Sequence, residues 1–372
     1  MSGRPIRLAF LGDPNSVHVR RWLAYFVEHG HEVALLEGFG TEVEPGLDAR
    51  IRVERFRAGR SRIPGLGGWR TRRSLRAALE RVGAELLHAH FVRRYGWQAA
   101  ASSFHPLVVS GWGSDVLVKR LRTWRVRWRD RWTLRGADLV TVTNAFMRDA
   151  IVANGARRAR VALVQHGVDT SRFHPGPADA GILDRHGLGG NRIVLSHRAI
   201  RPLYRHDVVL SAFAVATDDA ILAMSALGAD PRTLDEVRRR ASELGIVNRV
   251  LILDRIGPEE LPDLYRAAAV VVSVPESDSF SVTLQEAMAS GVPLVVGDLP
   301  PTRAVLAEVS PQSLVPIGDV EATAIALRRA LEASPDDRER TAVAMRAWAV
   351  READYEANMS RMETLYRGLI ES

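Results

Sequence analysis

The chain alternates short apolar runs with amphipathic stretches, and it does so in two successive series. The clearest passage lies between Ala268 and Asp298. It comprises a Val-rich apolar run from Ala268 to Val274, a polar turn from Pro275 to Ser281, and a helical pattern closed by Gly291 and Pro293. An apolar run of that length suits a parallel strand buried on both faces. The turn after it then lies at the carboxyl edge of a sheet, where open α/β sheets bind their ligands. Ser279 and Ser281 are favourable cap residues, so a helix is predicted to begin near Val282 with free N–H groups toward the loop, a setting that suits phosphate.

The first series opens with a strand over Ile6–Leu11, a loop from Gly12 to Ser16, a helix over Val17–His29 and a strand over Glu32–Leu36, which together make one βαβ unit. Further strands are predicted at Glu85–His90, Leu107–Ser110, Asp138–Thr143 and Val161–Val164. A Gly/Pro-rich stretch from Gln165 to Gly190 reads as a linker. The second series has strands beginning at Ile193, at Ile221–Ser225 and at Arg249–Leu253. Its helices are expected around Leu234–Leu244, Pro258–Ala267, Thr302–Glu308 and Val320–Ala333, and an almost continuous helical pattern runs from Arg338 to Ile370. The expected organisation is α/β with two doubly wound, Rossmann-like domains, 1–168 and 191–350, joined by 169–190 and followed by a tail, 351–372.

A length of 372 residues agrees with two ordinary domains, and 46% hydrophobic with 26% charged residues is a globular composition. The absence of cysteine excludes disulfides and cysteine-ligated zinc. The first apolar run reads as a strand rather than a secretion signal, and no run approaches the ~18 apolar residues of a membrane span, so a cytoplasmic location is expected. The net charge of +7 comes almost wholly from arginine, Lys119 being the single lysine. Codon bias of a GC-rich genome is the plainest reading of that choice. The excess nonetheless favours anionic partners such as sugar nucleotides, lipid phosphates or an anionic membrane surface, attached peripherally; nucleic acid is not among those expected. Arg50–Val82 is the most basic part and reads as a solvated face or as a lipid-facing one. Trp124, Trp128 and Trp132 recur on one helical face among arginines. The stripe is read as a face packed on the domain, with a membrane-interface face as the alternative.

Asp278 and Glu286 flank the loop and first turns of the predicted phosphate-facing helix. An ionised carboxylate only accepts hydrogen bonds, so Glu286 suits a ribose diol and Asp278 a sugar hydroxyl; solvated surface acids are the alternative for each. In the first half, Ser16 and His18 follow the first strand and read either as ligand contacts or as a helix cap and a half-buried histidine. His90 ends its strand and is expected to face a cleft. A metal pair of His88 and His90 is set aside on the reading that the two lie on opposite faces of the strand.

The string from Asp278 to Pro293 resembles the E-x7-E signature of the retaining nucleotide-sugar glycosyltransferases of family four. Phe280, Glu286, Ala287, Met288, Ala289, Gly291 and Pro293 match it, while Asp278 replaces the first glutamate and Ser279 and Ser281 replace two glycines. Gly111-Trp112-Gly113-Ser114-Asp115 is similar to the family's H-G-x-D turn with Trp112 in place of the histidine, so no general base is assigned there. His166-Gly167-Val168-Asp169 resembles the turn that joins the two halves. His197–Asp207 takes the place of a G-R-L-x-x-x-K-G loop, where Arg198 matches the arginine and Arg205 or Arg201 stands nearest the lysine. The resemblance implies a GT-B fold, with two domains facing a cleft and a last helix crossing back to the first domain. It also implies retaining transfer of a sugar from a GDP- or UDP-sugar to a saccharide, lipid-linked or small-molecule acceptor, with neither metal nor cofactor. On that basis Asp278, Arg198 and Arg205 are the expected catalytic groups. Glu286, Ser279, Phe280, Ser281, Val282, Thr283, Arg255, Ile256, Gly257 and Arg201 are expected to bind the donor. Ser16, His18, His90, Trp112 and Asp115 are expected on the acceptor side. A sugar-nucleotide epimerase on the same architecture and an inactive sugar-nucleotide-binding subunit are the alternatives.

Overall fold

The computed structural model describes residues 4–58, 66–117, 123–254 and 256–372. Two compact units are present, one formed by the chain up to His166 together with Ala357–Ser372, the other by Gly167–Glu356. In the first, seven parallel strands, β1 (Arg7–Leu11), β2 (Glu32–Glu37), β3 (Arg52–Arg55), β4 (Leu86–His90), β5 (Leu107–Ser110), β6 (Leu139–Val142) and β7 (Val161–Leu163), are ordered β3-β2-β1-β4-β5-β6-β7. In the second, six parallel strands, β8 (Arg192–Ser196), β9 (Ala220–Ser225), β10 (Val250–Leu253), β11 (Ala268–Ser273), β12 (Leu294–Gly297) and β13 (Leu314–Val315), are ordered β10-β9-β8-β11-β12-β13. Each order reverses direction once, between β1 and β4 and between β8 and β11, and these reversals are the switch points where such sheets hold ligands.

Helices cover both faces of each sheet, which is why the central strands are apolar throughout instead of alternating. Val270, Val271 and Val272 of β11 are wholly buried, and Val271 sits in register with Leu195 of β8. Phe10 and Leu11 of β1 are likewise buried, with Phe10 opposite Leu35 and His88. The last helix, Tyr355–Glu371, belongs from Ala357 onward to the first unit, where the buried Tyr366 hydroxyl hydrogen-bonds His88 Nδ1 of β4. Among the described residues, no helix is long and apolar enough to cross a membrane.

Two sequence expectations are corrected, and regular structure is found in a segment to which the sequence assigned none. The basic segment after Arg50 contains an edge strand, β3, and a helix, Leu66–Arg81, neither of which its composition suggested. The tail is two helices, Pro335–Glu352 and Tyr355–Glu371. The break is held by Val168, whose N–H donates to the Ala353 carbonyl at 2.8 Å and whose carbonyl accepts from the Tyr355 N–H at 2.9 Å. Finally, the tryptophan stripe of the helix Trp124–Gly136 is not the packed face. Asp130, Thr133 and Leu134 form the buried seam, and Trp124, Trp128 and Trp132 are 73%, 58% and 39% exposed. Arg60, Arg62, Lys119 and Arg255 lie outside the described residues.

Candidate functional site

In the second unit, the loops after β8 and β11 leave the sheet side by side at the switch point. Arg198 on the first loop reaches Asp278 on the second, with Nη1 3.1 Å from Oδ2 and both side chains about nine-tenths buried. The contact is an ion pair rather than an aligned hydrogen bond. The other oxygen, Oδ1, accepts from the Ser279 N–H at 2.7 Å. The guanidinium lies over the Tyr204 ring, 4.3 Å from its centroid, a cation–π contact that restrains it. Arg198 is therefore positioned before any ligand arrives.

The helix after this loop is Val282–Ala289, as the cap residues imply. Ser281 occupies the N-cap with extended backbone, but among the described residues its hydroxyl makes no hydrogen bond and so does not cap the helix. At the other end Gly291, at φ +71°, donates to the Met288 carbonyl while Val292 donates to that of Ala287, the paired bonds that close a helix through a left-handed glycine. Phe280 is also left-handed, at φ 72°, a conformation that costs a bulky residue about 1–2 kcal/mol. It is held there by burial of its ring against Trp348, 5.2 Å away and edge-on. Thr283 donates from Oγ1 to the His197 carbonyl at 3.2 Å, tying the helix start to the Arg198 loop.

Glu286, one turn further on, accepts from the Tyr265 hydroxyl at 2.9 Å. Burial, with the Glu286 charge beside it, pushes that phenol well above its usual range, so it remains a donor. Next to it, His197 is pushed down to about 4 by burial and by Arg198, and is neutral at pH 7. Tyr265 and His197 were not foreseen: each joins the site through a tertiary contact that no local pattern encodes.

The remaining donor-side candidates are dispersed. Arg205, at φ 50°, gives its guanidinium to Asp207 at 2.9 Å and Glu276 at 3.6 Å, and shares no partner with Arg198. Arg201 donates to the Gly228 carbonyl at 2.9 Å. Both line a groove of about 330 Å³ with Glu276. Ile256 packs partly on the core, and the Gly257 N–H donates to Glu260 at 3.0 Å.

In the first unit, a pocket of about 260 Å³ opens at the β1/β4 switch point, lined by Asp13, Ser16, Val19, His90, Phe91, Arg94, Tyr95 and Trp112. Ser16 is the N-cap of the helix Val17–Glu28, with no side-chain bond to it. His18 stacks on His166 at 5.0 Å and meets Trp112 edge-on at 5.5 Å; Trp112 also meets His90 at 5.5 Å. Burial, reinforced by Arg21, lowers His18 to about 4, and burial holds His90 and His166 well below the usual range, so this aromatic wall is uncharged at pH 7. Neither ring nitrogen of the buried His90 has a hydrogen-bond partner among the described residues. Asp115 is 2% exposed and accepts from the N–H groups of Val92 (2.7 Å), Trp112 (3.0 Å) and Gly113 (3.0 Å). Its carboxylate is thus spent on shaping the turn that presents Trp112.

His88 and His90 have their rings 4.3 Å apart on one face of β4, which corrects the expectation that they oppose each other, since residues two apart on a strand share a face. His88, lowered to about 3 by burial, is engaged at both nitrogens, by the Tyr366 hydroxyl and by Ser110 Oγ at 2.7 Å.

Two doubly wound parallel-sheet units, each with ligand-type loops at its switch point, define the class as the GT-B glycosyltransferase fold. The structure is similar to a glycosyltransferase from Rickettsia africae (TM-score 0.83, 14% identity, 99% of this chain and 100% of that one). It is also similar to HepE from Anabaena, solved with UDP (TM-score 0.81, 18% identity, 98% and 100%). The family described as Glycosyltransferase Family 4 matches residues 16–172, and Glycosyl transferases group 1 matches residues 183–348. The chain belongs to the group 1, family-four-like glycosyltransferases. A D-inositol 3-phosphate glycosyltransferase of Streptomyces avermitilis is 34% identical over 158 residues, 39% of this chain and 34% of that protein. The matched stretches span little more than a third of the length of such curated relatives.

Proposed function

We propose that the protein is a retaining, metal-independent glycosyltransferase that moves a sugar from a nucleoside diphosphate to an acceptor hydroxyl. The observation that carries this reading is the meeting of Arg198, Asp278, Glu286 and a helix start whose N-cap side chain makes no capping bond, at the switch point of the second unit. Breaking the bond between the anomeric carbon and the diphosphate leaves negative charge on the phosphate oxygen. In this reading Arg198 and the first-turn N–H groups of Val282 and Thr283 stabilise that charge without reorganising. Arg205, drawn from its pairs with Asp207 and Glu276, is the second cation, with Arg201 on the same groove. Glu286 accepts from the ribose hydroxyls and Asp278 from the donor sugar, while Ser279, Phe280 and Ser281 shape the loop. Ile256 and Gly257 are the proposed contacts to the base. HepE, a structural neighbour solved with UDP and with UDP-glucose, supports a nucleoside diphosphate sugar as the donor class.

The first unit takes the acceptor in the pocket beside Ser16, His18, His90 and Trp112, with Asp115 holding the turn. A neutral aromatic wall there suits the apolar face of a sugar ring. Incubation of the protein with UDP- and GDP-sugars tests the reading: slow release of nucleoside diphosphate with a sugar of the donor's own anomeric configuration is expected. Conversion of the donor to an isomeric sugar nucleotide would instead assign an epimerase, and binding of donors with no turnover would assign a non-catalytic subunit.

A further inference from the structure

The helix Trp124–Gly136 inverts the usual surface arrangement. A surface helix ordinarily turns its large apolar residues to the core and its charges to water. Here the core side holds Asp130, Thr133 and Leu134, while three tryptophans at intervals of four residues stand in solvent. Five arginines of the same helix, at 125, 127, 129, 131 and 135, are exposed as well, and none forms an ion pair among the described residues. The helix has one acid, Asp130, and it is buried against Arg93 at 3.3 Å. The exposed surface is therefore aromatic and uniformly positive.

The neighbouring elements extend this character. The helix Trp97–Ser102 packs against both Trp124–Gly136 and Leu66–Arg81. Its Trp97 contacts Trp132 at 5.0 Å and carries the Arg129 guanidinium over its ring at 4.4 Å. Leu66–Arg81 adds Trp69, 55% exposed, with Arg73 over its ring at 5.7 Å. Arginine thus sits on indole at both flanks of the face, an arrangement in which each side chain offers an apolar body and a polar edge.

A folded protein partner would need surface complementary in shape to a convex helix. A bilayer interface needs only apolar bodies that enter at headgroup depth and cations that meet lipid phosphate, and tryptophan and arginine are the side chains suited to those two tasks. We propose that the Trp124–Gly136 helix, flanked by Leu66–Arg81, is where this protein rests on an anionic lipid surface. Trp124 and Trp128 are the anchors, and Arg125 and Arg127 sit among the attracting charges. The inference uses the first unit alone and stands independently of the reaction assigned above.

Co-sedimentation of the whole protein with vesicles tests it, using phosphatidylcholine alone or mixed with phosphatidylglycerol. Binding is expected to the mixed vesicles and to weaken by an order of magnitude or more on pure phosphatidylcholine. Raising salt from about 0.05 to 0.5 M should release the protein, because exposed charges are screened. Replacing Arg125 or Arg127 by alanine should lower partitioning about five-fold each. The double variant Trp124→Ala/Trp128→Ala should lose most of the remainder while its melting temperature stays close to wild type, since neither indole is part of the buried seam. Failure of the folded protein to bind phosphatidylglycerol vesicles at low salt would overturn the proposal, as would undiminished binding by the tryptophan double variant. Concentration-dependent dimerisation that the double variant abolishes, without vesicle binding, would assign the face to a second copy of the chain and also overturn it.

Discussion

Tyr265→Phe isolates one hydrogen bond on which the proposed donor site depends. The Tyr265 hydroxyl donates to Glu286 Oε2 at 2.9 Å from a fully buried ring and lies 3.3 Å from the Thr283 carbonyl, so a single atom steadies both the proposed ribose acceptor and the first turn of its helix. Phenylalanine fills the same space and keeps the edge contact with Phe173, so packing is preserved. A hydrogen bond to a charged group contributes about 1.5–3 kcal/mol, and one removed from a carboxylate with other partners lies near the lower end. If Glu286 grips the ribose equally in ground and transition states, that energy is uniform binding and appears in KM. The expected result is a rise in donor KM of about ten-fold with kcat within about two-fold of wild type, measured by release of nucleoside diphosphate across a donor titration. A double-mutant cycle with Glu286→Gln should show the two losses to be non-additive. Unchanged KM, or a fall in kcat at constant KM, would refute the assignment of Tyr265 as the group that positions Glu286.

Asp115→Ala should destabilise the first unit by at least about 3 kcal/mol, because three backbone N–H groups lose their acceptor in a buried turn; differential scanning fluorimetry would register it, and a melting temperature within a degree of wild type would contradict the structural role. Acidification should also destabilise the fold. His18 and His197 are lowered to about 4 and His88 to about 3, so between those values and the ordinary histidine range near 6.5 the unfolded chain binds more protons than the folded one. Stability from each is complete above the unfolded value and falls by about 1.4 kcal/mol per pH unit below it. Melting temperatures measured from pH 7.5 to 5 should therefore decline with pH, and a flat or rising profile would show that these rings are not buried as neutral imidazoles.

The elements that were legible in the sequence are those with a strong period or a strong stop. The Val-rich β11 run, the helix start after Ser281 and its closure at Gly291 each rest on local chemistry, and they place the proposed donor loop in the fold without tertiary information. β3 was invisible because Arg52-Val53-Glu54-Arg55 is an exposed edge strand whose composition is that of a loop. The tryptophan stripe was found by its spacing but assigned to the wrong side, since periodicity identifies a face and not the direction it points. The break in the tail depends on Val168, nearly two hundred residues away in the chain. Arg198, Asp278 and Glu286 were each singled out by a motif, whereas the Arg198–Asp278 ion pair, the Tyr204 ring beneath Arg198 and the Tyr265–Glu286 bond all depend on how separate loops meet.

The most direct measurement of the central claim, that Arg198 and the adjoining helix start hold a pyrophosphate, is the thermal shift produced by UDP or GDP on wild type and on Arg198→Gln, each referred to its own unliganded melting temperature. At about a hundred times Kd, ligand should stabilise wild type by about 2.7 kcal/mol, a rise of a few degrees. Loss of a charged hydrogen-bond donor should weaken binding about ten-fold or more in the variant. Shifts of equal size and midpoint in the two proteins, or no shift with either nucleotide, would contradict it.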